Sequence, residues 1–124
     1  MYQSLSIEPL QEFGHGALRF VIGNSAALLD AKEIDSLIAQ LGQIRARMQP
    51  VPSPQPEQSR SYSLEVDPCW HVDRSPLFDG VVLLLRHAGY GWIAYSLPPQ
   101  SMARLNGALT MQPPTQFAMS PVVN

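Results

Sequence analysis

Pro50, Pro52, Pro54 and Pro56 occupy every second position of one short stretch, and no other feature limits the fold so firmly. Each ring holds φ at about −65° and removes a backbone donor, so neither a helix nor a hydrogen-bonded ladder can run through residues 50–58. The stretch must be extended, polyproline-like and exposed. It separates two halves of similar size in a chain of 124 residues. Neither half is large enough to bury an ordinary core by itself, so the stretch reads as a connector inside a single domain spanning residues 1–111.

Upstream of the connector, Ile34, Leu37, Ile38, Leu41, Ile44 and Met48 recur at three- and four-residue steps, the spacing of one helix face. Asp30, with Glu33 three residues on, has capping-box spacing, so the helix is expected over 31–48. Lys32, Asp35, Gln40, Gln43 and Arg47 fall on its other side. Before it, Leu18, Phe20 and Ile22 alternate with Arg19 and Val21, which predicts a strand over 17–23. Residues 4–7 form a weaker partner strand, with a turn at Gly14-His15-Gly16 between them. Residues 26–29 fit either a brief strand or the entry to the helix.

Downstream, Tyr62, Leu64, Val66, Trp70 and Val72 share one parity, and Ser61, Ser63, Glu65, Asp67, Cys69, His71 and Asp73 the other. This alternation predicts a half-buried strand with Tyr62 and Trp70 pointing into the core. Pro68 cannot donate to a ladder, so the strand breaks or bulges at Asp67-Pro68 or lies at an edge. Val81–Leu85 is apolar on both parities, as suits a central strand, and pairs with residues 92–97 across His87-Ala88-Gly89-Tyr90-Gly91. A second helix begins at Pro98 or Pro99, where a missing N–H costs nothing, and runs to about Met111 with Met102, Leu105 and Leu109 on its apolar side. Residues 112–124 hold three prolines and no periodicity, and are expected to be a flexible tail. The order is β-β-α, connector, β-β-β-α. It predicts an α+β domain with an antiparallel or mixed sheet of about five strands and both helices on one face. A rough duplication of strands followed by a helix shows in this pattern, though not in residue identity.

Composition narrows the function. Charged residues are 15% of the chain, the formal net charge is −2, and the basic residues are scattered singly, so no concentrated field exists to hold nucleic acid. The longest apolar run, Val81–Leu85, is far shorter than the roughly 20 residues a membrane helix needs. One cysteine, Cys69, excludes an intramolecular disulfide framework and a zinc site of several thiolates. The N-terminal residues lack a basic segment followed by an apolar one, so a cytoplasmic location is expected. No cofactor is expected either. Gly89-Tyr90-Gly91 lacks the third glycine of a dinucleotide fingerprint, no Gly-Lys-Ser/Thr is present, and Ser101 is not in a Gly-x-Ser-x-Gly elbow.

Three groups of residues carry chemistry. The run Val81-Val82-Leu83-Leu84-Leu85-Arg86-His87-Ala88 resembles the opening box of the histidine phosphatase superfamily. That resemblance implies His87 as a phosphate-accepting nucleophile and Arg86 as a clamp on the phosphate oxygens. It covers about eight residues. The family also needs a second histidine, another arginine and an acid downstream, whereas no histidine follows His87 and Arg104 is the sole later arginine. Without that context the pair reads as part of a hairpin turn, with Gly89 and Gly91 supplying positive φ.

Second, Cys69, His71 and Asp73 alternate along one strand. Same-face neighbours lie about 6–7 Å apart, so Cys69 and His71 can approach one metal, with His87 or His15 completing a tetrahedral set. Alternatively His71 can activate Cys69 as a nucleophile. No Cys-x-x-Cys or His-x-x-x-His pair accompanies them, and a solvated strand face is the plainer account. Third, Tyr90 lies between two glycines at a hairpin tip, close to Arg86, His87 and Trp92. These four are the candidate binding residues, because amphipathic aromatics beside a cation recur in recognition surfaces.

The expectation is therefore a small non-enzymatic interaction or adaptor protein, binding a protein partner or a second copy of itself in a larger bacterial or phage assembly. The low charge and the groove-docking geometry of extended prolines both favour it. The alternative is a small metal-dependent or Cys/His enzyme using Cys69, His71 and His87.

Overall fold

The computed structural model describes residues 3–12 and 15–121. The chain divides into two compact units, Met1–Pro52 and Ser53–Asn124, and the boundary falls inside the proline run.

In the first unit, β1 (Leu5–Glu12), β2 (His15–Ile22) and β3 (Ser25–Leu29) form an antiparallel meander in that order, followed by α1 (Ala31–Ala46). Leu18 and Phe20 of β2 stand in register with Pro9 and Ile7 of β1 and with Leu29 and Ala27 of β3. Register partners share a sheet face, so one apolar face results. Helix α1 packs on β2 and β3. The capping box forms as its spacing predicts: Glu33 N–H donates to Asp30 Oδ1 at 2.9 Å, and Asp30 N–H donates to Glu33 Oε1 at 3.3 Å. The helix stops at Ala46, short of Met48, in a tightened last turn where Arg47 N–H donates to the Ile44 carbonyl at 3.0 Å. Pro9 is accommodated because β1 is an edge strand. The segment left open at 26–29 is a strand, reached through a tight turn whose positive φ of 58° falls on Gly23. Gly14 of the expected turn lies outside the described residues, and His15 and Gly16 already belong to β2.

The second unit holds β4 (Ser61–Leu64), β5 (Trp70–Arg74), β6 (Val81–His87), β7 (Gly91–Leu97), α2 (Pro99–Thr110) and β8 (Ala118–Pro121). Strands β5, β6 and β7 form a second antiparallel meander with β6 at its centre, and α2 packs against β7. The strand expected over 61–73 is broken at Asp67, whose φ is 48°, next to Pro68. Gly80 has no room for a side chain, since a Cβ there would lie 2.1 Å from the Leu97 carbonyl oxygen.

The described residues form eight strands in three small sheets, with two helices, which makes this an α+β protein. The single sheet of about five strands with both helices on one face is not what forms. The strands of each three-stranded meander find their partners across short local connections, and the proline run and the break at Asp67-Pro68 prevent one ladder from extending through the chain. Part of the expected flexible tail is also ordered: Ala118–Pro121 pairs in parallel with Ser61–Leu64. The anchor is Phe117, whose ring meets Tyr62 edge-on at a centroid distance of 6.2 Å. Residues 122–124 lie outside the described residues.

Among the described residues no hydrophobic side chain is fully buried, and the one buried residue is Ser75. Its hydroxyl shares a 2.6 Å hydrogen bond with that of Ser96 and accepts one from Leu77 N–H at 3.2 Å. No helix among the described residues is long and apolar enough to cross a membrane.

Candidate functional site

The register of the second meander sorts the candidate residues onto two faces. Leu85 pairs with Trp70 and Ile93, and Leu83 with Val72 and Tyr95. These side chains share one face, and His87, two residues beyond Leu85, continues the same row. Leu84 pairs with His71 and Ala94, Val82 with Asp73 and Ser96, and Arg86 with Trp92. Those residues share the opposite face. The four binding candidates therefore separate into two pairs, His87 with Tyr90 at the tip and Arg86 with Trp92 on the other side of the sheet.

The tip is organised by His87. Its Nδ1 accepts the N–H groups of Gly89 at 2.9 Å and of Tyr90 at 3.1 Å. A ring nitrogen that accepts carries no proton, so the proton of the neutral ring is on Nε2. Nε2 lies 3.4 Å from Glu65 Oε1, and that oxygen also accepts Ala88 N–H at 3.0 Å. Tyr90 stacks on the imidazole with ring centroids 4.2 Å apart and planes 19° apart, yet remains 63% exposed. Nδ1 is thus engaged in closing the turn, and Nε2 faces the Glu65 carboxylate. The arrangement is a folded hairpin end.

Cys69, His71 and His87 do not come together on one face. His71 sits opposite Leu84 and His87 continues the row of Leu85, so the two histidines belong to opposite faces of the sheet. Cys69 is an exposed free thiol just before β5, and its carbonyl accepts Arg86 N–H at 3.0 Å. The side chain of His15 lies outside the described residues. Among those described, no group of three or more His, Cys, Asp or Glu is placed to hold a metal ion.

The feature that sequence reasoning missed is an open apolar groove. Met102, Leu105 and Leu109 of α2 face Trp70, Val72 and Leu85 across a cavity of about 580 Å³. No charged residue lines it, and Asn106 is its single polar one. Trp70, expected in the core, is 67% exposed at this groove, and Leu109 is 75% exposed. Its size is that of a ligand or side-chain pocket, while its chemistry offers no acid, base or nucleophile. Its one signal in the sequence was that Val81–Leu85 is apolar on both parities, which demands more cover than one short helix can give.

No known protein family, curated protein or solved structure matches this chain.

Proposed function

We propose that this protein is a small non-enzymatic interaction module, a subunit or accessory of a larger assembly, that works by binding another protein surface through its second unit. The observation that carries the reading is the uncharged groove between α2 and the β5–β6–β7 sheet, in a molecule whose described residues include no fully buried hydrophobic side chain. Contiguous exposed apolar surface is what interaction sites present and what an independent monomer avoids. Fully covering one such Leu or Val side chain is worth about 1.5–3 kcal/mol, so a partner that closes the groove gains several such increments. The exposed Tyr90 ring extends the same row of the sheet beyond His87 and supplies an amphipathic rim. A lone exposed thiol with no disulfide suits the reducing cytoplasm, where we place the protein.

The test is a native pull-down of the tagged chain beside the variants Leu109→Glu and Tyr90→Ala. Leu109→Glu puts a charge on an already exposed groove position, so it should abolish stoichiometric capture and leave tryptophan emission unchanged. Tyr90→Ala should weaken capture. A wild-type chain that neither self-associates nor retains a partner would overturn the reading.

A further inference from the structure

Building on that reading, the geometry points to β7 as a self-association edge, on which a second copy of this chain pairs its own β7 antiparallel about a two-fold axis at Ala94. Strand β7 is the outer strand of its sheet, and among the described residues its free edge makes no backbone hydrogen bond. An unpaired edge is a template for another strand, and proteins usually blunt it with charges, proline, a bulge or short length. Seven residues long, Gly91–Leu97 carries no charge and no proline. The other edges are charged, proline-bearing or shorter. The edge strand β5 holds His71, Asp73 and Arg74, β1 holds Glu8 and Pro9, β8 holds Pro121, and the uncharged β3 and β4 are only five and four residues long.

The strand is complementary to itself. With Ala94 opposite the second copy's Ala94, Trp92 meets Ser96 and Ile93 meets Tyr95. Small residues lie on the axis, aromatic and β-branched residues pair beside it, and no like charges oppose. A two-fold axis normal to the sheet keeps each face on its own side. Both α2 helices, each packed on its own β7, therefore lie on one side of a six-stranded sheet. Trp92 and Tyr95 of the strand are both exposed. They lie on the pairing strand itself, one on each sheet face, and pairing would cover both along with the strand's free backbone groups.

Sedimentation and light scattering on the full chain test the proposal, with substitutions at Ala94, an exposed position. The wild-type chain is expected to be a dimer. Ala94→Lys and Ala94→Glu should each be monomeric, with far-UV dichroism and tryptophan emission retained, because like charges then meet on the axis. Mixing the two should restore a dimer. As a second measurement, Ala94→Cys in a Cys69→Ser background should cross-link under mild oxidation, since directly opposed residues lie within disulfide reach. Ser96→Cys in the same background should not. A dimer that persists in the charged variants, with no cross-link at position 94, would overturn the β7 edge while leaving the interaction reading intact. A monomeric wild type that captures a different protein stoichiometrically would do the same. A monomer that captures nothing would overturn both.

Discussion

The two units repeat one plan, a three-stranded antiparallel meander followed by a helix, and they finish it with opposite chemistry. In the first unit the space between α1 and β3 is a cavity of about 270 Å³ bordered by Glu33, Ser36 and Gln40 beside Leu29 and Leu37. In the second, the corresponding space is about twice as large and has no charged lining. Helix α1 is fastened by a two-way cap, whereas α2 starts from Pro98 with no side-chain cap. The outer face of the first sheet carries the cross-strand pair Arg19–Glu8, while β7 carries no charge at all. The space beneath each helix thus meets water through polar groups in the first unit and apolar groups in the second, although Leu41 and Ile44 of α1 are exposed as well. That contrast, more than any single residue, is why the second unit is read as the working surface.

Both tryptophans, Trp70 and Trp92, belong to the second unit, so tryptophan emission reports its unfolding while far-UV dichroism reports both helices. The largest effect expected is from Gly80→Ala. The new Cβ would meet the Leu97 carbonyl oxygen at 2.1 Å, and backbone cannot give way as a side-chain tip can. A loss of about 3 kcal/mol is expected, the upper end for forcing extra volume into packed structure. It should appear as an earlier urea midpoint in tryptophan emission. An unshifted midpoint would mean that the junction between β6 and the end of β7 is more yielding than its geometry implies.

A smaller effect, about 2 kcal/mol, is expected from His87→Ala. Two backbone N–H groups lose their acceptor at Nδ1, and Glu65 loses its neighbour at Nε2. Amide exchange at Gly89 and Tyr90 should accelerate while exchange in α1 is unchanged. Protection that survived in the variant would show that the hairpin tip closes without the imidazole, and would reopen the question of what His87 is for.

Much of the plan was legible. Asp30-x-x-Glu33 located the start of α1, the pair Pro98-Pro99 the start of α2, and alternation at Leu18–Ile22 and Trp70–Asp73 the strands. The third strand was only half legible, since residues 26–29 fit a brief strand or the helix entry equally well, and the turn at Gly23 that decides between them emerges with the structure. Strand β8 was not legible. Its partner β4 is far away in sequence, and the feature that holds it, Phe117 against Tyr62, exists only after folding. The separation of Arg86 from His87 follows from the two-residue period of any strand and needed no structure. The role of Glu65 did need one, because it reaches the tip from beyond the break at Asp67, 23 residues from the Ala88 amide it accepts. The groove was hidden for a different reason. Met102, Leu105 and Leu109 have the spacing of a buried stripe, and spacing says nothing about whether anything covers it.

The smallest effect tests the polar finish of the first unit. Asp30→Ala removes the acceptor for Glu33 N–H, while the backbone N–H at position 30 can still donate to Glu33 Oε1. The expected loss is about 1 kcal/mol, typical for an N-cap. Asp30→Ser should recover most of it, since a hydroxyl can accept the same N–H. The readout is the helical dichroism transition, with tryptophan emission as the internal reference. If α1 melts as before in Asp30→Ala, the cap is ornamental, and the packing of Leu37 and Ile38 against β2 and β3 holds the helix alone. The two units would then resemble each other more than their termini suggest, both depending on thin apolar contact. The contrast between them would rest only on the charge lining their grooves.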